Sequence, residues 1–372
     1  MSALTAELRN GIKLGKRLFR PAGDGPLLLV QFITSRCNAR CEHCFDADRQ
    51  TVENEELDLS LDELTAIAKS TKSPYFVILT GGEPFLRNDV KEIILAWAHH
   101  ARPRVIALPT NGSQTAKIAR VVEEVLPQLP EGVFLSVNVS LDGVGELHDS
   151  IRGMPGLFAK ATETVRRLQK IEQRHSNFGT GVVSVLSRRN QAQMESIMDF
   201  VLDDLGVGIW APFLVRGNPR DPKSLEVDIS HYEYISERFE ERIRSKDYPG
   251  YAGFVAARLN SAKNVARRAV IAQTIREGRR VVPCSAGRQS AVIYADGSVY
   301  PCELLDESMG NLRDFDYDLT QLWQADQACK TRAVVDAAPC ACTHENTMTT
   351  SVAYAWRQWP QIMRWTLALW RN

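Results

Sequence analysis

Three cysteines near the start of the chain have a spacing that could hold an iron–sulfur cluster. Cys37, Cys41 and Cys44 follow the pattern C-x3-C-x2-C. Three thiolates on one loop can bind three irons of a cubane cluster, which leaves the fourth iron open to a small molecule. The alternative is a structural zinc site with His43 as the fourth ligand. An irregular triad fits that closed tetrahedral geometry less well.

A second group of cysteines lies in the C-terminal part of the chain. Cys284 and Cys302 flank a predicted hairpin whose turn is Asp296-Gly297, and Cys340 and Cys342 follow the next predicted helix. Two ligands from a hairpin and two from a later loop can enclose one cubane cluster. A zinc site with four thiolate ligands is the alternative.

Length and charge restrict the class of protein. The chain has 372 residues, which is enough for a barrel with a smaller module, and its formal net charge of zero gives no global attraction to nucleic acid. The first residues do not form the apolar segment of a signal peptide, and no uninterrupted apolar run is long enough to predict a membrane span. We therefore expect a cytoplasmic protein with no nucleic-acid partner, whose cysteines bind metal and do not form disulfides.

Strands that alternate with helices must position the first cysteine group. The predicted strands lie near residues 27–33, 75–79, 104–108, 133–139, 181–186 and 208–214. This alternation predicts βαβ units and a parallel sheet. Six units are too few for a closed barrel of eight, so the expected fold is α/β, a partial (β/α)6 barrel. Its chemistry is expected at the C-terminal ends of the strands.

A glycine-rich segment follows the second predicted strand. It consists of Gly81, Gly82, Glu83 and Pro84. Glycines let the backbone approach a ligand closely, and the Glu83 carboxylate can accept a hydrogen bond from an ammonium group. On its own the segment could be a plain strand-to-helix turn. Its place after a strand and downstream of the cysteine triad favours ligand binding.

Polar residues also follow the next two predicted strands. Asn111 ends the third strand and Ser140 ends the fourth, with Asp142 beside it. Arg152 follows shortly afterwards, and a guanidinium can bind a carboxylate with two parallel hydrogen bonds. The alternatives are a turn asparagine, a helix cap and a surface ion pair.

Together these segments resemble the radical S-adenosylmethionine (SAM) superfamily, whose hallmark is C-x3-C-x2-C after the first barrel strand, followed by GGEP. The resemblance covers about residues 27–215. It implies a [4Fe-4S] cluster on Cys37, Cys41 and Cys44, with SAM on the open iron. It also implies that SAM is reductively cleaved to a 5′-deoxyadenosyl radical, which abstracts hydrogen from an unactivated substrate carbon. The electron would come from a reductant such as flavodoxin or ferredoxin.

The resemblance further implies which residues contact SAM. The expected set is Gly81, Gly82, Glu83, Pro84, Asn111, Ser140, Asp142, Arg152 and Phe45. Phe45 follows the last cysteine of the triad and is expected to pack near the adenine. A core aromatic is its alternative role.

The C-terminal cysteines lie in a region that resembles the twitch or SPASM module, which holds auxiliary clusters. The resemblance includes Gly310-Asn311-Leu312 and Leu322-Trp323, and its expected ligands are Cys284, Cys302, Cys340 and Cys342. The last pair is spaced C-x-C where the family pattern is usually C-x2-C. A full SPASM module needs more cysteines, so we expect one auxiliary cluster and two clusters in total. His344 is a reserve ligand or a solvent-facing histidine, and Cys329 is expected to be a buried apolar thiol.

Both ends of the chain combine cations with large apolar side chains. The N-terminal segment 1–26 contains Arg9, Lys13, Lys16, Arg17 and Arg20. The C-terminal helix 347–372 contains Trp356, Trp359, Trp365 and Trp370, with Arg357, Arg364 and Arg371. Such helices can lie in a membrane interface. The alternative is that both ends pack on the barrel.

The expected organisation follows from these features. Between the two ends lie the barrel, residues 27–216, a helical connection, 217–282, and the auxiliary-cluster module, 283–346. The expected function is hydrogen abstraction from a peptide, from a small alcohol or sugar, or from a lipid-linked substrate, with peripheral contact to the inner face of the membrane in the lipid case. The alternative is a zinc-stabilised binding protein without catalysis.

Overall fold

Six parallel strands form a continuous wall in the computed structural model, which describes residues 25–49, 57–245, 248 and 257–370. The strands are β1 Leu28–Thr34, β2 Phe76–Gly81, β3 Val105–Thr110, β4 Phe134–Ser140, β5 Phe178–Leu186 and β6 Ile209–Leu214. Each pairs in parallel with the next along the chain. The predicted six-strand α/β wall is confirmed. The N-terminal basic segment lies almost wholly outside the described residues.

Helices separate the six strands, and further helices follow β6 and the C-terminal part of the sheet. They are α1 Leu61–Ser70, α2 Val90–Ala96, α3 Thr115–Val125, α4 Glu146–Arg152, α5 Leu157–Glu172, α6 Met194–Asp199, α7 Ile229–Arg244, α8 Ala257–Glu277, α9 Leu319–Gln324, α10 Asp326–Ala337, α11 Glu345–Tyr354 and α12 Trp359–Trp370. The first begins at a capping box, since Ser60 accepts from the Glu63 amide and Glu63 accepts from the Ser60 amide. Because a helix returns the chain between successive parallel strands, the C-terminal ends of β1 to β6 all lie at one edge of the sheet.

The first strand is buried on both faces. Leu29 and Ile33 belong to the main core with the helices, whereas Leu28, Val30 and Phe32 form a separate apolar cluster on the inner face. All seven residues of β1 are buried. A parallel strand covered on both sides reads as a continuous apolar run, which explains why β1 was recognisable in the sequence.

The C-terminal hairpin extends the same sheet. Its strands are β7 Ser290–Ile293 and β8 Ser298–Tyr300, followed by the short β9 Gly310–Asn311. Strand β7 pairs in parallel with β1, so the order across the sheet is β6-β5-β4-β3-β2-β1-β7-β8-β9. The turn lies at Asp296-Gly297 as predicted, and Gly297 has a φ of +85°. Barrel and C-terminal module thus share one hydrogen-bonded sheet.

One predicted helix is divided. The sequence pattern indicates a single helix from Thr320 to Val334, but Ala325 is extended and separates α9 from α10. Helix α10 buries a face that includes Ala328 and Val335. Cys329 lies about 100° around the helix from Ala328 and is exposed. The prediction of a buried thiol at this position is wrong.

The last helix packs on the protein along one of its faces. Ile362 of α12 is buried in the main core, and the Arg244 guanidinium lies 4.8 Å from the centre of the Trp365 ring. Trp356, Trp359 and Met363 are instead exposed. No helix of the described residues combines the length and apolarity needed to cross a bilayer.

Arg332 holds α10 against the hairpin module. Its Nε donates to Gly287 O at 2.7 Å and its Nη2 to Trp323 O at 2.6 Å. Replacing Arg332 with Met leaves two buried carbonyls without donors, which should lower the free energy of unfolding by about 2–4 kcal/mol. Lys330→Met, on the exposed side of α10, is the matched control. Urea unfolding of both variants measures this effect, and equal stabilities would contradict the role of Arg332.

Candidate functional site

Backbone hydrogen bonds fix the cysteine loop and the end of β1 against two neighbouring segments. The Gly82 amide donates to Thr34 O at 2.9 Å, and the Arg40 amide donates to Arg152 O at 3.0 Å. A Cβ on Gly82 would lie 2.1 Å from Arg36 O and 2.8 Å from Cys37 Cβ. Only glycine fits there, so the turn after β2 sits directly against the cysteine loop.

The three cysteines of this loop are free thiols at the edge of one cavity, the central cavity. Cys37, Cys41 and Cys44 line this cavity of roughly 330 Å³ together with Glu83 and Ser140. Burial raises the pKa of Cys37 to about 12 and that of Cys44 to about 11. Iron must therefore displace protons when it binds, because the thiolate is the ligand. Three thiols on one rigid loop fit the donor set of a cluster with one open iron.

Glu83 joins the ends of two strands. Its Oε1 accepts from the Thr110 hydroxyl at 2.7 Å and its Oε2 from the Asn111 amide at 2.7 Å. The side chain is 1% exposed, and burial raises its pKa. Pro84 is buried in the turn that follows. Gly81 has a φ of +151° and packs against the backbone of Thr34. All four residues of the glycine-rich segment therefore lie beside the cysteine loop.

Asn111 is engaged by other protein groups. Its Nδ2 donates to Asn38 Oδ1 at 2.8 Å, and its Oδ1 accepts from the Ser113 amide at 2.9 Å. Asn38 lies within the cysteine loop, so this contact braces the loop against β3. Ser140, at the end of β4, lines the same cavity. Contact of either residue with SAM stays a prediction.

A buried ion pair lies beneath the cysteine loop. Arg152 Nε donates to Asp142 Oδ2 at 2.5 Å, and Arg152 Nη1 lies 3.6 Å from Cys41 Sγ. Asp142 is completely buried. Burial alone would raise its pKa, but the guanidinium holds it below its ordinary value. The alternative of a surface ion pair is wrong for these two residues.

His43 lies beside this ion pair. Its Nε2 is 3.6 Å from Asp142 Oδ2. Burial lowers the pKa of His43 to about 4, so the ring is neutral near pH 7. Its proximity to Asp142 gives His43 a packing role under the loop.

A second buried network was not anticipated from the sequence. The Arg216 guanidinium lies 4.6 Å from the centre of the Phe45 ring, and its Nη2 donates to Glu303 Oε2 at 2.7 Å. Glu303 Oε2 is also 2.8 Å from His344 Nε2. Glu303 follows Cys302 and His344 comes shortly after Cys342, which is the only sequence signal for this network. The network connects the two cysteine groups.

His344 is buried, and both ring nitrogens have neighbours. Nδ1 lies 2.9 Å from Thr347 Oγ1, and Nε2 faces Glu303. The expectation of a solvent-facing histidine is wrong. Because Glu303 already occupies Nε2, the structure favours a positioning role over the predicted reserve-ligand role.

The four C-terminal cysteines form the second group of thiols. Cys284, Cys340 and Cys342 border one small cavity. The Cys302 thiol lies near those of Cys284 and Cys342. All four are free, and burial raises the pKa of Cys302 and Cys342 to about 12. Within the described ranges no three His, Cys, Asp or Glu side chains converge on a single-ion site. A cubane instead distributes its ligands over four irons.

Two family models match this chain. The model of the radical SAM superfamily matches residues 32–201, and that of an iron–sulfur cluster-binding domain (SPASM) matches residues 284–344. These ranges contain the first and the second cysteine groups, respectively.

The chain is also similar to curated relatives and to a solved structure. The AdoMet-dependent heme synthase of Methanosarcina barkeri is 26% identical over 310 residues, which is 81% of this chain and 83% of that protein. The mycofactocin maturase MftC of Mycobacterium tuberculosis is 32% identical over 46% of this chain and 41% of its own length. The structure of native anSMEcpe with bound AdoMet and a peptide has a TM-score of 0.60 at 16% identity, and the match covers 94% of this chain and 100% of that one.

The two cysteine groups predict two separately removable metal sites. Anaerobic reconstitution should load about eight irons per chain, as two cubane clusters. Replacing Cys37, Cys41 and Cys44 together with Ala should leave about four, because the C-terminal thiols are unchanged. Cys329→Ala is the matched control, since that thiol is exposed. Iron analysis measures the result. A triple variant that retains the full iron content would show that these cysteines are not ligands.

Proposed function

Since the chain is a radical SAM enzyme with a C-terminal iron–sulfur cluster-binding domain, we propose that it removes hydrogen from an unactivated carbon of a substrate held in the central cavity. The bound cluster supplies one-electron reductive cleavage of a carbon–sulfur bond of SAM. The remaining task of the protein is to bind and orient the two molecules and to exclude water. A flavodoxin or ferredoxin is the proposed electron donor.

The observation that carries this proposal is the composition of the cavity wall. Cys37, Glu83 and Asn111 lie on the same cavity as Glu303 and Thr349 of the C-terminal part. Both domains therefore line one cavity. A substrate bound between these walls would lie close to the cysteine loop and would displace water from the site.

Particular residues would hold the cofactors. We assign the SAM cluster to Cys37, Cys41 and Cys44 and one auxiliary cluster to Cys284, Cys302, Cys340 and Cys342. The Glu83 carboxylate lies at the strand ends, where an ammonium group can approach it. Arg152 is already paired with Asp142, and we therefore assign it to the support of Cys41 instead of a direct contact with the SAM carboxylate.

The relatives indicate two classes of substrate. One is named a heme synthase, which favours a tetrapyrrole, and the other is a maturase, which together with the peptide-bound structure favours a peptide. The relative that matches most of its own length is the heme synthase. A small alcohol or sugar and a lipid-linked molecule were also expected from the sequence, and no comparison reported above favours them.

Glu83 provides the test of SAM binding. The reconstituted wild type should form 5′-deoxyadenosine slowly with a strong reductant even without substrate. Glu83→Gln should weaken SAM binding about tenfold, because the ammonium group loses a charged acceptor. Glu172→Gln is the matched control, since this half-buried carboxylate accepts from the Thr180 amide outside the cavity.

Equilibrium binding of SAM and chromatographic detection of 5′-deoxyadenosine are the measurements. The iron content of each variant shows whether its clusters are intact. A wild type with full iron content that forms no 5′-deoxyadenosine would overturn the proposed function. Equal SAM affinity in Glu83→Gln and the wild type would remove Glu83 from the SAM site.

We propose peripheral membrane contact for the exposed side of α12 and the turn before it. Trp356, Met363 and Leu367 are exposed, whereas Ile362 is packed in the core. Arg357 and Arg364 lie between them in the chain and are exposed too. Cations beside exposed apolar side chains suit an anionic lipid surface.

Vesicle sedimentation tests this contact. Replacing Met363 and Leu367 with Ser removes exposed apolar area and leaves Ile362 packed, so binding to anionic vesicles should fall severalfold while the fold is retained. Leu225→Ser, at an exposed leucine elsewhere, is the matched control. A wild type that ignores anionic vesicles at low salt shows that this surface has no membrane role.

A further inference from the structure

A polar stripe on helix α8 faces the central cavity. Asn260, Lys263, Asn264, Arg267 and Arg268 line the cavity wall. Successive members of this set are three residues or one residue apart, and this pattern places them on one side of a helix. The opposite side of α8 is apolar and belongs to the main core. Three cations thus project from a buried helix into the space that the cysteine loop borders.

Among the described residues these cations have few partners. Lys263 Nζ donates to Asn260 Oδ1 at 2.7 Å, and Arg267 Nη1 donates to Thr349 Oγ1 at 2.6 Å. Arg268 is 3% exposed, and its Nε and Nη2 make no hydrogen bond among the described residues. The Arg268 guanidinium lies 4.7 Å from the centre of the Phe239 ring. The contacts named here are with neutral groups and an aromatic face.

Two described carboxylates influence the stripe without forming an ion pair with it. Glu240 and Glu345 are the acidic groups that influence these arginines. Glu345 Oε1 accepts from the Leu214 amide at 2.6 Å, and burial raises the pKa of Glu345. Neither carboxylate forms an ion pair with Lys263, Arg267 or Arg268 in the part of the chain that the structure describes. Within the described ranges the stripe thus has no paired counter-ion.

Buried charge without a counter-ion is costly, and proteins retain it mainly where a ligand supplies the opposite charge. Guanidinium groups bind carboxylate and phosphate oxygens with paired hydrogen bonds. Burial also lowers the pKa of Lys263 to about 7, so an anion beside it would favour the protonated amine.

We propose that Lys263, Arg267 and Arg268 form an oxyanion-binding subsite for the substrate, which carries at least one carboxylate or phosphate group. This inference rests on the proposed function, because it assigns the substrate to the cavity shared with Cys37. An anionic group anchored at α8 leaves the uncharged part of the substrate to extend toward the cysteine loop. Carboxylated tetrapyrroles and acidic peptides have this chemistry, and a neutral sugar does not.

The test measures anion binding without any turnover. Reconstituted wild type and the double variant Arg267→Gln/Arg268→Gln are titrated with inorganic phosphate, with citrate and with coproporphyrin III, a tetracarboxylate, at constant ionic strength. At least one oxyanion should bind the wild type and raise its Tm. The double variant should bind that anion at least about tenfold more weakly, because two charge-assisted contacts are lost.

Matched controls separate binding from folding. Arg276→Gln removes a cation from the exposed end of α8, where Arg276 pairs with Glu233, and it should bind the anion like the wild type. The Tm of unliganded Arg268→Gln should equal or exceed that of the wild type, because an uncompensated buried charge is removed. A clear loss of Tm in Arg268→Gln would instead make this arginine structural and overturn its place in the subsite.

The three anions also distinguish the origin of the oxyanion. Preference for phosphate assigns a phosphorylated substrate, and preference for citrate or the porphyrin assigns a carboxylate. The inference is overturned if none of the three binds, or if the double variant binds as well as the wild type. Failure of the wild type to cleave SAM would refute the proposed function only, since these titrations contain no reductant.

Discussion

The buried ion pair between Asp142 and Arg152 is the interaction on which the first cysteine site depends. Asp142 also accepts from the Val185 amide at 2.7 Å, so one carboxylate connects β5 with α4 and, through Arg152, with Cys41. Removing one member of a buried pair costs about 3–5 kcal/mol, because the other charge is left without compensation. The pair therefore fixes the position of Cys41 more firmly than the loop backbone alone would.

The second buried network has a comparable role on the other side of the cavity. Arg216 connects Phe45, which follows the first cysteine group, with Glu303, which follows a member of the second. Burial alone would raise the pKa of Glu303, but His344 and Arg216 hold it well below its ordinary value. The carboxylate therefore stays charged, and the contact persists over the ordinary pH range. The two cysteine groups are thus related by a fixed electrostatic contact as well as by the sheet.

Local sequence patterns predicted the strands because each is an apolar run that ends in glycine or polar residues. The two cysteine groups and the glycine-rich segment could be recognised for the same reason, since their spacing is local. Contacts between distant segments could not be predicted. Arg216 and Glu303 are 87 positions apart, and neither stands out from its neighbours in the sequence. The break at Ala325 was also invisible, because alanine is a good helix former and only packing shows that the chain turns there.

The cation stripe of α8 illustrates the same limit. A helix with arginines and lysines suggests a solvent-exposed face, and only the fold shows that this side lines the central cavity. The sequence interpretation of 217–282 as a simple helical connection therefore assigned no residues to substrate binding. In the structure this connection supplies one wall of the central cavity.

The pairing of β7 with β1 has a consequence for how the chain folds. Before the hairpin is synthesised, β1 is an edge strand whose outer amides and carbonyls are unpaired. Its sequence is almost entirely apolar. Such an edge is a template for association with other chains. A nascent chain released before Ser290 would carry this exposed edge. We therefore expect completion of the C-terminal module to protect the sheet against self-association. We therefore expect exposure of this edge during synthesis to depend on residues more than 250 positions away from the strand that they cover.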